Sequence, residues 1–183
     1  MTIFTIGHST RSADDFVALL EGAGVQCLYD IRRFPGSRRY PHFNSEALAS
    51  RLQSKGIAYE HHPELGGRRR PSPTGPPSAW RNEGFRGYAE YMHTDAFRQA
   101  IDALIAEGAE KPTAIMCSEA VPWRCHRNLV SDALVARGVD VRHILDGKIS
   151  PHTLTSFAVV EGDEVSYPPA GELGQQELEF KLP

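Results

Sequence analysis

The feature that most constrains the fold is an alternation of short apolar runs with segments that repeat apolar residues at helical spacing. The first apolar run, residues 2–6, is followed by Ser12, a typical helix cap, and then by Phe16, Leu19 and Leu20 on one helical face. This order returns several times along the chain. Because parallel strands must be joined by crossover connections, the alternation predicts an α/β fold with a mainly parallel sheet flanked by helices.

The remaining elements follow the same logic. Residues 64–84, rich in proline, glycine and arginine, predict a surface loop, and Ser150 with Pro151 predicts a short helix start. We expect one Rossmann-like three-layer domain over residues 1–160 and a small C-terminal hairpin or tail over 161–183, since 183 residues suit a single core. Further strands are predicted within 25–32, 57–63, 112–117 and 140–145, and helices within 44–56, 85–92, 95–108 and 125–138.

The chain carries no signal for export or for a membrane. No apolar run is long enough to cross a bilayer, and the N-terminus lacks a basic region followed by an apolar stretch. Three cysteines are an odd set with none of the spacing of secreted disulfide scaffolds. We therefore expect a cytoplasmic protein with reduced thiols and no membrane partner, and the sequence leaves the oligomeric state open.

Polar side chains follow four of the predicted strands. In open parallel sheets, ligands bind beyond the carboxyl ends of the strands, so these residues are expected to share one site. They are His8 and Ser9, Asp30 and Arg32, His61 and His62, and Cys117 and Glu119.

The densest group of reactive side chains is CSEAVPWRCHR, residues 117–127. Cys125 is predicted next to the first turn of a helix, where free N–H groups stabilise a thiolate, and it is a nucleophile candidate if partly exposed. Cys117, at the end of a buried strand, is expected to act as a small apolar residue or as a resolving thiol.

Other side chains of the predicted site are assigned to proton transfer or to packing. Glu119 is expected either to transfer protons or to pair with Arg124 or Arg127. His8, as a general base or a hydrogen-bonding group for the substrate, and His126 complete the predicted catalytic set.

A metal and a cofactor are not expected. Cys117, Cys125 and His126 lack the paired C-x-x-C spacing of zinc sites, and the adjacent Cys125 and His126 are expected to point in different directions. Neither a phosphate loop nor a dinucleotide fingerprint is present.

Residues 32–86 form a strongly basic segment, with ten arginines and one lysine against four glutamates. Guanidinium groups match phosphate oxygens in pairs, and the interleaved aromatic rings can stack on bases, so a nucleotide or nucleic acid partner is predicted. The alternative is that these arginines pair with Glu46, Glu60, Glu64 and Glu83 on a solvated face. The predicted substrate- and phosphate-binding residues are Ser9, Asp30, Arg32, Ser37, Arg38, Arg39 and Arg127.

The chain resembles the microbial family called domain of unknown function 488. The resemblance covers about residues 3–150 and rests on TIGHS at 5–9, DIRRFPGSRRYPHF at 30–43, ELGG at 64–67, CSEAVPWRCHR at 117–127 and VRHI at 141–144. It implies a cytoplasmic α/β domain and assigns no reaction. A shared site is implied at His8, Ser9, Asp30, Arg32, Pro35, Ser37, Glu119, Cys125, His126 and Arg127.

Three functions are compatible with these patterns. The first is an enzyme that acts on a nucleic acid or nucleotide, with modified or damaged base processing as one form of it, in which a Cys/Glu/His cluster reacts and arginines hold phosphate. The second is a DNA- or RNA-binding module without catalysis. The third is a thiol-based transferase or redox protein, which the lack of a C-x-x-C pair disfavours.

Overall fold

The computed structural model of the protein describes residues 1–169. It contains a six-stranded, mostly parallel sheet flanked by helices in one domain, which confirms the predicted fold class. The strands are β1 Thr2–Gly7, β2 Cys27–Asp30, β3 Ala58–His61, β4 Thr113–Cys117, β5 Asp140–Leu145, β6 Lys148–Pro151, β7 Val159–Glu161 and β8 Glu164–Ser166. The helices are α1 Ala13–Gly22, α2 Ser45–Gln53, α3 Glu83–Tyr91, α4 Asp95–Glu110 and α5 Arg127–Ala136.

The side chains of the strands pack into two separate cores, one on each face of the sheet. On one face, Ile6 of β1 packs with α1 and α2, and on the other Ile3 of the same strand packs with α3, α4 and α5. This is the period-two alternation of side chains along a strand, with both faces covered. The helices begin where the sequence supplies caps: Ser12 accepts from the N–H of Asp15, and Thr94 accepts from the N–H of Phe97.

The strand order β3-β2-β4-β1-β5-β6 places a topological switch between β1 and β4. The chain leaves β1 toward α1 on one face, whereas it leaves β4 toward α5 on the opposite face. Loops that diverge in this way open a crevice at the carboxyl ends of the two strands. His8 and Cys117 stand at this crevice, joined through a backbone hydrogen bond of 2.9 Å.

The expected helix start at Ser150 and Pro151 is wrong. Residues 148–151 form β6, which pairs antiparallel with β5 after a turn in which Gly147 adopts φ of 75°. Glycine tolerates this left-handed conformation, so the chain reverses and the new strand extends the sheet edge.

A short antiparallel hairpin, β7–β8, lies near the C-terminus and spans the predicted boundary at residues 160 and 161. Val165 and Tyr167 are buried in the core beside α5. This part of the predicted tail therefore packs on the domain, and residues 170–183 of the prediction lie outside the described residues. Within residues 1–169, no helix is both long and apolar enough to cross a membrane.

Candidate active site

Two thiols and one imidazole converge at the end of β4. The Sγ atom of Cys125 lies 3.5 Å from Nδ1 of His126, and the Sγ atom of Cys117 lies 3.9 Å from the same nitrogen. All three atoms lie within 4.8 Å of one another. We call these three residues the Cys/His cluster.

Local backbone geometry produces this convergence. After β4 the chain makes a 3-10 turn at Pro122–Arg124, Cys125 is extended, and α5 begins only at Arg127. The expectation that Cys125 and His126 point apart is therefore wrong, because it assumed a helix already formed at both residues. Cys125 instead precedes the helix, and its Sγ accepts a hydrogen bond of 3.5 Å from the N–H of Arg127.

The imidazole of His126 is fixed from several sides. Its Nε2 lies 3.2 Å from the carbonyl oxygen of Ile31, which can only accept a hydrogen bond, so Nε2 carries a hydrogen and Nδ1 faces the two sulfurs. The ring of Tyr88 packs 5.2 Å away. A β-carbon on Gly67 would stand 2.7 Å from Nδ1, so the glycine backbone lies directly against the ring.

The two thiols are buried, with Cys117 6% and Cys125 4% exposed. The pKa of Cys117 is held well below the usual value, because Cys125 donates a hydrogen bond to its thiolate and His126 and Arg127 stand nearby. Burial raises the pKa of Cys125, and the neighbouring Cys117 thiolate raises it further. The predicted nucleophile at Cys125 depended on partial exposure, and the described structure does not provide it.

Arg127 is a buried cation, 1% exposed. Its guanidinium donates to the carbonyl oxygen of Glu119 at 2.6 Å and to Oγ1 of Thr5 at 3.4 Å, while its Nε has no partner among the described residues. The predicted ion pair with the Glu119 carboxylate is absent from residues 1–169, and the side chain of Glu119 is exposed. Arg127 therefore holds the 117–121 loop through main-chain oxygens.

His8 stands at the crevice as a neutral imidazole. Burial and the neighbouring Arg32 lower its pKa to about 4. The ring stacks on Phe43 at 4.3 Å, and its Nδ1 lies 3.0 Å from the carbonyl oxygen of Ser9, whose φ of 49° turns the chain sharply there. The Nε2 atom then accepts from Arg32 at 3.4 Å.

Asp30 and Arg32 form a buried ion pair that holds the basic loop 33–43. The Asp30 carboxylate accepts from Nε of Arg32 at 2.8 Å and from the Tyr59 hydroxyl at 2.7 Å. Arg32 also donates to the carbonyl oxygen of Phe43 at 2.8 Å. Ser37 receives the N–H of Tyr40 at 3.0 Å, so its hydroxyl shapes the same loop. Direct phosphate contact by Asp30, Arg32 and Ser37 stays a prediction, and all three have internal partners.

Exposed arginines lie on the loops that follow β2 and β3. Arg38 and Arg39 are exposed, as is Arg68, which stands 5.8 Å from the ring of Phe34. The Phe34 ring itself is 64% exposed. Among residues 1–169, the ion pairs include none of Arg33, Arg38, Arg39, Arg68, Arg69 and Arg70, whereas Glu60 and Glu64 pair with His62. The alternative in which glutamates neutralise this segment is therefore wrong for these arginines.

A buried chain of hydrogen bonds runs behind the cluster. Thr5 Oγ1 lies 2.7 Å from Nδ1 of His143, Nε2 of His143 lies 3.0 Å from Nδ1 of His152, and Nε2 of His152 lies 2.8 Å from Asp132. Because Asp132 accepts, one consistent assignment has each imidazole donating toward Asp132 and Thr5 donating to His143. The chain connects Arg127, through Thr5, to the carboxylate that anchors the C-terminal hairpin.

The pH dependence of folding provides a test of this chain. Burial, His152 and Arg127 lower the pKa of His143 to about 4, although Asp132 opposes them. The unfolded chain protonates this histidine below about pH 6.5, whereas the folded chain does so only below about pH 4. His143 therefore contributes its full stabilisation above about pH 6.5, and this contribution is lost as the pH falls from about 6.5 to about 4. We expect a loss of at most about 3 kcal/mol across this window. Urea unfolding of wild type and of His143→Asn at several pH values measures it, and an unchanged pH slope in the variant would contradict the assignment.

Comparison with known proteins places the chain in a family. The family model described as domain of unknown function DUF488 matches residues 12–134. The chain belongs to the DUF488 family. The resemblance predicted from the motifs is thereby confirmed, and the matched DUF488 segment includes Asp30, Arg32 and the complete Cys/His cluster. No curated protein and no solved structure matches the chain.

Sequence reasoning missed parts of the DUF488 site. Cys117 was expected to be a small apolar residue or a resolving thiol, and the close approach of its sulfur to His126, beside that of Cys125, was not predicted. The available signal was its position at a predicted strand end, shared with His8 and Asp30. Asp132 and His152 gave no signal, because their partners are distant in sequence.

Proposed function

We propose that this DUF488 protein is an enzyme that acts on a nucleotide or a nucleic acid. The observation that carries the proposal is the position of the Cys/His cluster, at the switch between β1 and β4 and beneath loops that carry unpaired arginines. Ligands of open α/β sheets bind at this point of the fold.

The exposed arginines supply the phosphate-binding part of the proposal. Arg38 and Arg39 lie on the loop that Arg32 anchors, and Arg68 follows Gly67, which contacts His126. Guanidinium groups without carboxylate partners are available to phosphate oxygens. The exposed ring of Phe34 beside Arg68 offers a stacking surface for a base.

The Cys/His cluster supplies the reacting centre. Glu119, exposed two residues after Cys117, is assigned proton transfer, and the neutral His8 is assigned a hydrogen bond to the substrate through Nε2, whose contact with Arg32 is long at 3.4 Å. These assigned roles suit an enzyme that processes a modified or damaged base, since the phosphates are held at the rim and the base enters a polar crevice.

Salt-dependent binding tests the arginine part. Replacing Arg38 or Arg39 by alanine is expected to raise Kd for labelled oligonucleotides about three- to tenfold and to lower the salt slope by about one. Fluorescence anisotropy with single-stranded and duplex DNA and RNA, at two salt concentrations, measures both quantities. The matched control is Arg142→Ala, an exposed arginine on β5 paired with Asp140, which should leave Kd unchanged. Equal Kd values for all three variants would remove the arginines from the proposal.

Product formation tests the catalytic part. Oligonucleotides that bind, including lesion-containing ones, are incubated with the protein and analysed by mass spectrometry. Cys125→Ser, Glu119→Gln and His8→Ala are each expected to lower the product yield. A product that forms equally with all three variants would show that catalysis lies elsewhere, and binding without any product would identify a recognition module.

A further inference from the structure

We infer that Cys117, Cys125 and His126 bind a divalent metal ion of the zinc type. The inference goes beyond the proposed function, since metal binding can be measured without any substrate. Two thiols and an imidazole are the ligand types that zinc prefers, and here the three donor atoms lie within 4.8 Å of one another.

The distances between donor atoms fit tetrahedral coordination. With Zn–S of about 2.3 Å and Zn–N of about 2.0–2.1 Å, the tetrahedral angle places sulfur and nitrogen about 3.5–3.6 Å apart. The observed distances from Nδ1 are 3.5 Å to Cys125 and 3.9 Å to Cys117. An adjustment of a few tenths of an ångström in one side chain would bring both sulfur–nitrogen distances to the tetrahedral value.

The surroundings orient these groups as ligands. Metal-binding imidazoles usually donate their second N–H to a carbonyl or carboxylate, and Nε2 of His126 has that position relative to the Ile31 carbonyl. The Arg127 N–H directed at the Cys125 sulfur gives a hydrogen bond of the kind that supports a metal-bound thiolate. Two thiolates and one divalent ion are together neutral, which suits a buried position.

The number of ligands points to a site with an open position. The group found among residues 1–169 supplies three donors, whereas structural zinc sites have four. A fourth position taken by water or substrate is the pattern of catalytic zinc. This second step rests on the proposed function and assigns the metal to the reacting centre of the enzyme.

A second group of potential ligands, Cys27, Glu60 and Glu107, lies at the other end of β2. It offers one sulfur and two carboxylates, a set that suits zinc less well than two sulfurs and an imidazole. Lys111 also pairs with Glu107 at 2.5 Å and occupies one carboxylate. Cys27 is therefore the natural control for the Cys/His cluster.

Metal content of the full chain is the first experiment. The protein is stripped with a chelator, loaded with zinc or cobalt chloride and freed of excess ion, and its metal is measured by mass spectrometry. About one ion per chain is expected. The cobalt protein should show a thiolate-to-cobalt charge-transfer band and the strong visible bands of tetrahedral coordination. Absence of retained zinc, or cobalt without a charge-transfer band, would overturn the inference in the wild-type protein, whatever the variants do.

Variants then identify the ligands. Cys117→Ser, Cys125→Ser and His126→Gln should each weaken zinc retention at least about tenfold, whereas Cys27→Ala should retain it. Circular dichroism establishes that each variant is folded. Retention by all three cluster variants with loss in Cys27→Ala would assign the metal to the other group. Oligonucleotide binding plays no part in these measurements, so a failure of the metal site and a failure of the proposed function are distinguishable.

Discussion

Replacing Asp132 by alanine is expected to lower the free energy of unfolding by about 3–5 kcal/mol. The carboxylate is fully buried and accepts from His152 at 2.8 Å, from the Thr155 hydroxyl at 2.7 Å and from the Tyr167 hydroxyl at 2.8 Å. Removing it leaves several buried donors without an acceptor, and an unpaired buried donor costs more than the lost bond itself. Urea unfolding followed by circular dichroism measures the change.

The matched control is Asp146→Ala. The Asp146 carboxylate also contacts a cation, Arg11, at 2.7 Å, but its side chain is 85% exposed. Surface pairs of this kind contribute about 0–1 kcal/mol. The variant Asp132→Asn separates charge from shape, because it keeps an acceptor oxygen in the same place, and it should be less destabilising than alanine. Equal stability of Asp132→Ala and Asp146→Ala would mean that the buried network does not anchor the hairpin.

The order of elements from β1 to β5 was predictable because each of these helices and strands has a local signature. The apolar spacing after Ser12 predicted α1, and parallel pairing followed from the alternation itself. The shared edge was also predictable, since His8 and Cys117 both follow strands that run in one direction. Both conclusions follow from local sequence patterns and from the common direction of parallel strands.

Features that depend on one turn or on distant contacts were not predictable. A regular helix turns about 100° per residue, which would separate Cys125 from His126, but an extended Cys125 before the helix brings their donor atoms together. Asp132 lies on α5, and its partner Tyr167 follows 35 residues later. Periodicity carries no information on contacts of that range.

The network at Asp132 and the Cys/His cluster belong to one connected support. Arg127 joins them, because its guanidinium reaches Thr5 on the side of His143 and Glu119 on the side of the cluster. Buried, well-packed residues of this kind hold reactive groups within the narrow range of positions that catalysis requires.

Beside this network, Gly7 has no space for a side chain. Gly7→Ala is therefore expected to destabilise the protein by about 3 kcal/mol or more. A β-carbon would overlap the carbonyl oxygen of Glu119, 2.7 Å from its carbonyl carbon and 2.9 Å from Nη2 of Arg127. These are backbone and buried atoms, so the 117–121 loop must move away from β1. The control is Gly22→Ala at the end of α1, where a β-carbon meets nothing within 4 Å and the change should be neutral or slightly stabilising. Urea unfolding compares the two variants, and zinc retention by any folded Gly7→Ala fraction reports on the cluster. If Gly7→Ala matched Gly22→Ala in both measurements, the close approach of Glu119 to β1 would not be what positions Cys117 beside His126.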